Sequence, residues 1–179
     1  EARRFAHAIT LRSLESGGRE DVVVTGGGPG VMEAGNRGAI EAGGRSMGLS
    51  IVLPHEQAPN AYISPELCFN FHYFAIRKMH FLMRAKVIAV FPGGFGTMDE
   101  LFETLTLLQT RKIKKRVPVV LFGTEYWDKV MNLETMVEFG TIDAADLDLI
   151  YRTDSVDDAF AYITRELAEH ALPHPGGRL

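Results

Sequence analysis

Cysteine is almost absent from this chain: Cys68 is the one thiol in 179 residues. A single thiol excludes an intrachain disulfide and a thiolate zinc cluster, and it fits a reducing, cytoplasmic setting. Lone thiols of this kind belong to cores more often than to catalytic centres. The six histidines form no H-E-x-x-H-type pair, so no metal site is marked. No apolar run approaches the roughly 20 residues of a membrane span, and the opening EARRFAHAIT lacks the regions of a signal peptide. Basic charge is not in excess either. The net charge is −4, which argues against duplex nucleic acid or an anionic membrane as the principal partner. Repeats, low-complexity blocks and interdomain linkers are missing. What remains, 46% hydrophobic and 23% charged, suits one substantial core. The expectation is a single domain over residues 1–172, with a tail at 173–179 that frays.

The stretch Val87 to Glu103, VIAVFPGGFGTMDELFE, runs an apolar strand into a glycine turn and then a helix without a spacer. Val87 to Phe91 is a continuous apolar run, as expected of a strand buried on both faces of a parallel sheet. Pro92, Gly93, Gly94 and Gly96 permit a sharp turn and let a ligand approach the amides, and Thr97 adds a hydroxyl. The helix that follows, with Leu101, Phe102, Leu105 and Leu108 at helical spacing, points its positive end at the turn, so an anion is favoured there, a phosphate first of all. Asp99 and Glu100 are read in the first turn of that helix. Both fit as partners of the macrodipole; Glu100 is also placed to face a ligand whose phosphate the turn holds.

Along the chain, residues 1 to about 15 read as a helix with Phe5 and Ile9 on one face, and the first strand follows at Asp21 to Thr25. An α/β domain that opens on a helix leads us to expect a further strand upstream of Glu1. Thr25 to Gly30 (TGGGPG) is a second glycine turn after a strand, entering a helix of small residues from Val31 to Ala42 that suits close packing on the sheet. Turns of this kind lie at the carboxyl ends of parallel strands, where open α/β sheets bind ligands. Neither turn completes G-x-G-x-x-G, since Val31, Glu33 or Asp99 stands where the closing glycine would be, and no GK[ST] follows. Glu33 is open between a dipole partner and a ligand contact.

Ser46 to Leu53 reads as a strand ended by Pro54, and His55 to Ser64 as a polar loop, either a lid or a plain connection. Tyr73 to Arg84 reads as a helix in which Phe74, Met79, Phe81 and Leu82 supply apolar surface. Arg77, His80 and Arg84 share a face, either as a solvated stripe or with Arg77 reaching the crevice. The basic segment Arg111 to Arg116 reads as a solvated helix end, followed by a buried strand, Val117 to Phe122. A helix is expected over Tyr126 to about Phe139, carrying Trp127, Val130, Met131 and Val137, then a short strand at Asp148 to Arg152. Ser155 is expected to cap a last helix built on Val156, Ala159, Phe160, Ile163 and Leu167. The fold class is therefore α/β, a Rossmann-like doubly wound parallel sheet flanked by helices.

The pair TGGGPGVMEAGNRGA (Thr25 to Ala39) and PGGFGTMDE (Pro92 to Glu100) resembles the LONELY GUY family, Rossmann-like proteins long labelled lysine-decarboxylase-like. The PGGxGTxxE pattern is complete, the TGGG turn lies at the family's distance before it, and the family's RK pair stands as Arg77 and Lys78. Leu53 to Asn60 looks like the variant loop of the longer bacterial branch. The likeness runs from the first helix to at least Phe122; it fails at the start, where family members carry a first strand and a glycine- and serine-containing turn.

The resemblance implies a phosphoribohydrolase that splits the N-glycosidic bond of a nucleoside 5′-monophosphate, AMP or a cytokinin riboside monophosphate, into free base and ribose 5-phosphate. It implies no cofactor. Gly93, Gly94, Gly96 and Thr97 would hold the 5′-phosphate. Glu100 would stabilise an oxocarbenium-like transition state or position water, and Arg77 would assist near the departing base or phosphate. Gly26, Gly27, Gly28, Glu33 and Lys78 would line the rest of the crevice, and a C2 homodimer with sites near the interface is implied. A rival of another class is a nucleotide or molybdenum-cofactor carrier that binds without turnover. The decarboxylase label would require pyridoxal phosphate on a lysine, and no lysine here sits in a turn or pocket that the sequence marks out.

Overall fold

A computed structural model describes residues 1–18, 21–53 and 58–169. The chain divides into two units, the first ending at Arg84 and the second starting at Ala85. The first contains α1 (Ala2–Glu15), β1 (Val23–Thr25), α2 (Val31–Glu41), β2 (Ser46–Ile51), a 3₁₀ turn (Pro65–Leu67), β3 (Cys68–Phe71) and α3 (Phe74–Arg84). The second contains β4 (Ile88–Val90), α4 (Phe95–Gln109), β5 (Val119–Phe122), α5 (Thr124–Val130) and α6 (Leu133–Glu138). It continues with a 3₁₀ segment (Ala144–Leu149), β6 (Ile150–Thr153) and α7 (Val156–Glu169). Among the described residues every strand pairing is parallel, and the strands form two three-stranded sheets, β1-β2-β3 and β4-β5-β6. The expected α/β class, parallel strands flanked by helices, is the class the chain adopts. Among the described residues no helix is long and apolar enough to cross a membrane.

In the first unit the small residues of α2 serve helix packing more than sheet packing. A Cβ at Gly38 would lie 2.1 Å from the Arg3 carbonyl oxygen of α1, so the two backbones touch there and only glycine fits. Phe5, Ala6, Thr10 and Ser13 form the buried face of α1, and Ile9 is only half-buried. Ser13 ties the helix to the chain entering β1: its Oγ donates to the Asp21 carbonyl at 2.9 Å and accepts from the Asp21 amide at 3.2 Å. β3 has no counterpart in the sequence reading. It is short, and Phe69 and Asn70 are exposed while Cys68 is half-buried, so it carries neither a long apolar run nor a clean alternation.

In the second unit the core gathers Val90, Leu101, Val119, Leu121, Trp127 and Met131. Trp127 is fully buried, and its indole N–H donates to the Phe122 carbonyl at 2.8 Å, which removes the penalty of burying that group. Leu101 is 1% exposed, and truncating it to alanine would cost about 2–5 kcal/mol. Several expectations change here. β5 is buried along its whole length, whereas in β4 only Val90 is buried and Ile88 and Ala89 are half-buried. Phe102 leaves the apolar stripe of α4 and is exposed. The helix expected over Tyr126 to Phe139 is two helices: Met131 is extended, and the Asn132 side chain accepts from the Thr135 amide at 3.0 Å, starting α6 afresh. The last strand starts two residues later than expected, because an Asp143–Asp146 capping box winds 144–149 into a 3₁₀ segment first. Ser155 caps α7 as expected, its Oγ accepting from the Asp158 amide at 3.2 Å. The expected tail, 173–179, and the His55 to Gln57 part of the polar loop lie outside the described residues.

Candidate functional site

Both glycine turns stand directly after parallel strands, and each belongs to its own unit. In the first, β1 ends at Thr25 and the chain passes through Gly26, Gly27 and Gly28 to α2, whose N-cap is Gly30 with φ 72°. Gly27 has φ 76°, and a Cβ there would lie 2.5 Å from Ser50 Oγ and 3.1 Å from Ile63 Cδ1. Neither conformation nor space admits another residue. At Gly26 and Gly28 a Cβ would meet the Met32 side chain, at 2.8 and 2.6 Å. This turn is filled by the protein's own atoms.

A polar network under the turn was invisible in the sequence. Asn36 is fully buried in α2; its Oδ1 accepts from Thr25 Oγ1 at 2.7 Å, and its Nδ2 donates to Ser46 Oγ and to the Met47 carbonyl. Thr25 Oγ1 accepts from the Gly27 amide at 3.0 Å. From the other side Asn60 donates through its amide to the Gly27 carbonyl at 2.8 Å and through Nδ2 to the Gly27 and Gly28 carbonyls and to Asn36. Buried amides satisfied in this way fix one conformation. Asn60, the last residue of the LPHEQAPN segment, is thus an anchor. The signal for Asn36 was slight: a poor helix former in mid-helix among glycines.

Arg77 of α3 comes to the same turn, one terminal nitrogen 3.9 Å from where a Cβ on Gly26 would stand. Its guanidinium lies over Phe74, at 5.1 Å from the ring centroid, and 5.8 Å from that of Phe81, and its Nε is shielded from solvent. The aromatic faces hold the cation in place. Of the basic stripe, His80 and Arg84 are exposed, so Arg77 alone is built in; Lys78 beside it is half-buried. Glu33 is in the first turn of α2, the position that a partner of the macrodipole takes.

The second turn is built differently. α4 starts at Phe95, so Gly96 and Thr97 are helical, and Asp99 and Glu100 stand in the second turn, not the first; the first turn holds no acidic residue. The macrodipole reading of Asp99 fails for that reason. Gly93 is required because a Cβ there would lie 2.1 Å from Thr97 Oγ1, whereas Gly94 and Gly96 face open space, with nothing within 4 Å of a Cβ on either. Gly94 is the N-cap, so no side chain caps the helix, and Phe95 between the two open glycines is 96% exposed. Both carboxylate oxygens of Glu100 are shielded from solvent.

Neighbouring loops hold this turn from below. Tyr126 donates its hydroxyl to the Gly93 carbonyl at 2.5 Å, and Gly123, with φ 89°, packs so closely on Pro92 that a Cβ would lie 2.9 Å from its ring. Phe91 stacks on Phe122 with centroids 4.5 Å apart. Asp154, after β6, accepts from the Thr124 amide at 2.8 Å and from the Thr124 hydroxyl, and these bonds hold its carboxyl below the usual carboxylate range. The carboxyl ends of β4, β5 and β6 are thereby knitted into one platform. What it presents upward is the uncapped end of a 15-residue helix flanked by two open glycines, a seat for an anion. Among the described residues no group of three or more His, Cys, Asp and Glu could hold a metal ion.

The profile of a family described as "Possible lysine decarboxylase" matches residues 32–163. A rice protein (Oryza sativa subsp. japonica), described as a probable cytokinin riboside 5′-monophosphate phosphoribohydrolase, is 27% identical over 161 residues, 88% of this chain and 68% of its own length. Among solved structures, the molybdenum cofactor carrier protein of Chlamydomonas reinhardtii has a TM-score of 0.60 at 24% identity, covering 93% of this chain and 88% of its own. A structural-genomics X-ray structure has a TM-score of 0.59 at 23% identity, over 91% of this chain and 87% of its own. At these identities the two structures speak to the fold.

Proposed function

The chain belongs to the family described as possible lysine decarboxylases, the LONELY GUY-type proteins, and from that premise we propose that it is a nucleoside 5′-monophosphate phosphoribohydrolase. The observation that carries the reading is the second turn. An uncapped helix end with two glycines open to solvent suits a phosphate held by backbone amides, and a carboxylate shielded from water stands in the next helical turn.

In this reading the 5′-phosphate sits on Gly93, Gly94, Gly96 and Thr97. That places the ribose over Glu100, whose charge stabilises the positive charge that grows on the anomeric carbon as the base departs, or orients the attacking water. Arg77, held over two aromatic rings beside the first turn, supplies a fixed cation for the departing base or the phosphate. Gly26, Gly27, Gly28, Glu33 and Lys78 complete the nucleotide's surroundings. The active form is a homodimer, and the protein works in the cytoplasm without a cofactor. Exposed apolar residues support a dimer: Tyr73 just before α3, and Phe74, Ile76 and Met79 within it.

The test is a panel of nucleoside monophosphates and their nucleosides, with release of base and ribose 5-phosphate measured. AMP is expected to be hydrolysed and adenosine to be a poor substrate, because the phosphate seat is the anchor. Comparable kcat/KM for AMP and adenosine would refute the assignment of the turn. Tight AMP binding with no hydrolysis of any monophosphate would support a carrier instead.

A further inference from the structure

The basic segment that the sequence marks between Arg111 and Arg116 is solvated as expected, with Arg111, Lys114 and Arg116 exposed, and it also borders a cavity. Arg111, Lys114, Lys115 and Arg116 line a cavity of about 420 Å³ in the second unit. Val117 and Pro118 of its wall lead into β5, and Asp148 and Leu149 lead into β6. The cavity therefore lies at the amino ends of β5 and β6, whose carboxyl ends lead to Gly123 and Asp154.

Its chemistry is two-sided. Leu108, Ile113, Val117, Pro118 and Leu149 give it apolar walls. Tyr162 from α7 adds an aromatic surface, fixed by stacking on Tyr151 with centroids 4.0 Å apart and planes within 5°. On the polar side Arg116 is held by Glu166 at 2.8 Å, a carboxylate only 8% exposed. Asp148 and Glu166 together leave the four cations in excess. A helix C-terminus attracts cations, which accounts for Arg111, but it does not account for apolar walls enclosed by three further cations. Arg111 itself has φ 55°, the left-handed position closing α4 where glycine is the usual occupant. A rim cation stands where the backbone favours none.

We propose that this cavity is a second binding site, for a small organic phosphate whose dianionic group meets the Arg111–Lys114 rim while its apolar or aromatic body lies against Val117, Pro118 and Tyr162. Ionic contact alone would be weak in water; the walls supply what free phosphate cannot use. α4 begins at the phosphate turn and ends at this cavity, so one rigid element joins the two.

The probe is phenyl phosphate, titrated into the full chain while backbone amide shifts are followed by NMR, with inorganic phosphate run in parallel. Saturable shifts are expected at Ile113 to Val117 and at Leu149, at concentrations where inorganic phosphate produces none there. The double variant Arg111→Gly, Lys114→Ser suits the left-handed backbone and removes two cations. It should weaken phenyl phosphate at these amides by at least about tenfold while shifts at Gly93 to Thr97 stay as in the parent. Shifts confined to Gly93 to Thr97, equal binding of inorganic phosphate in the cavity, or unchanged cavity binding by the variant would each overturn the proposal.

Discussion

At Gly27 the backbone is left-handed and a methyl group would lie 2.5 Å from Ser50 Oγ, whereas at Gly94 and Gly96 a methyl group would meet nothing within 4 Å. Both turns follow a parallel strand and both spell themselves in glycine, yet the first is occupied by the protein and the second is open. The first is clamped between Asn36, acting through Thr25, and Asn60, and Met32 packs against Gly26 and Gly28. The second is braced only from below, by Tyr126, Gly123 and the Asp154–Thr124 pair, and leaves its upper face bare. Glycine in the first turn answers to folding. In the second, Gly93 answers to Thr97, and the other two meet no constraint from the fold.

That contrast can be broken by substitution. The largest effect is expected at Gly27→Ala, which combines a left-handed backbone with a collision in a buried site; the loss should be roughly 2–4 kcal/mol, read as a lower urea midpoint. A Gly27→Ala protein of parental stability would show that the fold does not require glycine there. Gly96→Ala should do the opposite. Alanine suits a helical position better than glycine, so stability should hold or rise by up to about 0.5 kcal/mol. The new methyl would stand in the phosphate seat and raise KM for AMP by roughly tenfold or more, about 1.4 kcal/mol, with kcat little changed. Parental KM in that variant would remove the phosphate from this turn.

A smaller effect sharpens the account of the platform. Asp154 is held below the usual carboxylate range by the Thr124 hydroxyl and amide. A carboxyl whose folded value is depressed adds stability above its unfolded value and loses it as the pH falls through the folded one. Asp154→Asn should therefore be the less stable protein at neutral pH, with the gap to the parent closing below the ordinary carboxylate range. A gap that persisted unchanged in acid would mean that the ion contributes nothing beyond its shape.

The class of the fold was legible because its apolar runs are short, glycine-ended and interleaved with helical periodicity. The strand, glycine turn and helix of the second unit were legible because an apolar run, a glycine cluster and a helical pattern follow one another without a spacer. The first turn was not fully legible: Thr25, Asn36 and Asn60 meet only after residues far apart in the chain fold together, and single asparagines carry no periodic signal. The split of the Tyr126–Phe139 helix turned on one cap, Asn132, which apolar spacing overrides on paper. β3 escaped because a half-exposed strand with Phe69 and Asn70 outward shows neither pattern. Glu100 was placed one turn too early, since the helix recruits Phe95, Gly96 and Thr97 as its own first turn.

The measurement closest to the central claim is AMP turnover and AMP affinity side by side in Glu100→Gln. This substitution keeps the shape of a side chain shielded from water and removes its charge. If the carboxylate stabilises positive charge on the ribose or orients water, kcat should fall by roughly 10²- to 10⁴-fold, with AMP affinity nearly unchanged. Hydrolysis of AMP by Glu100→Gln at the parental rate would contradict the account.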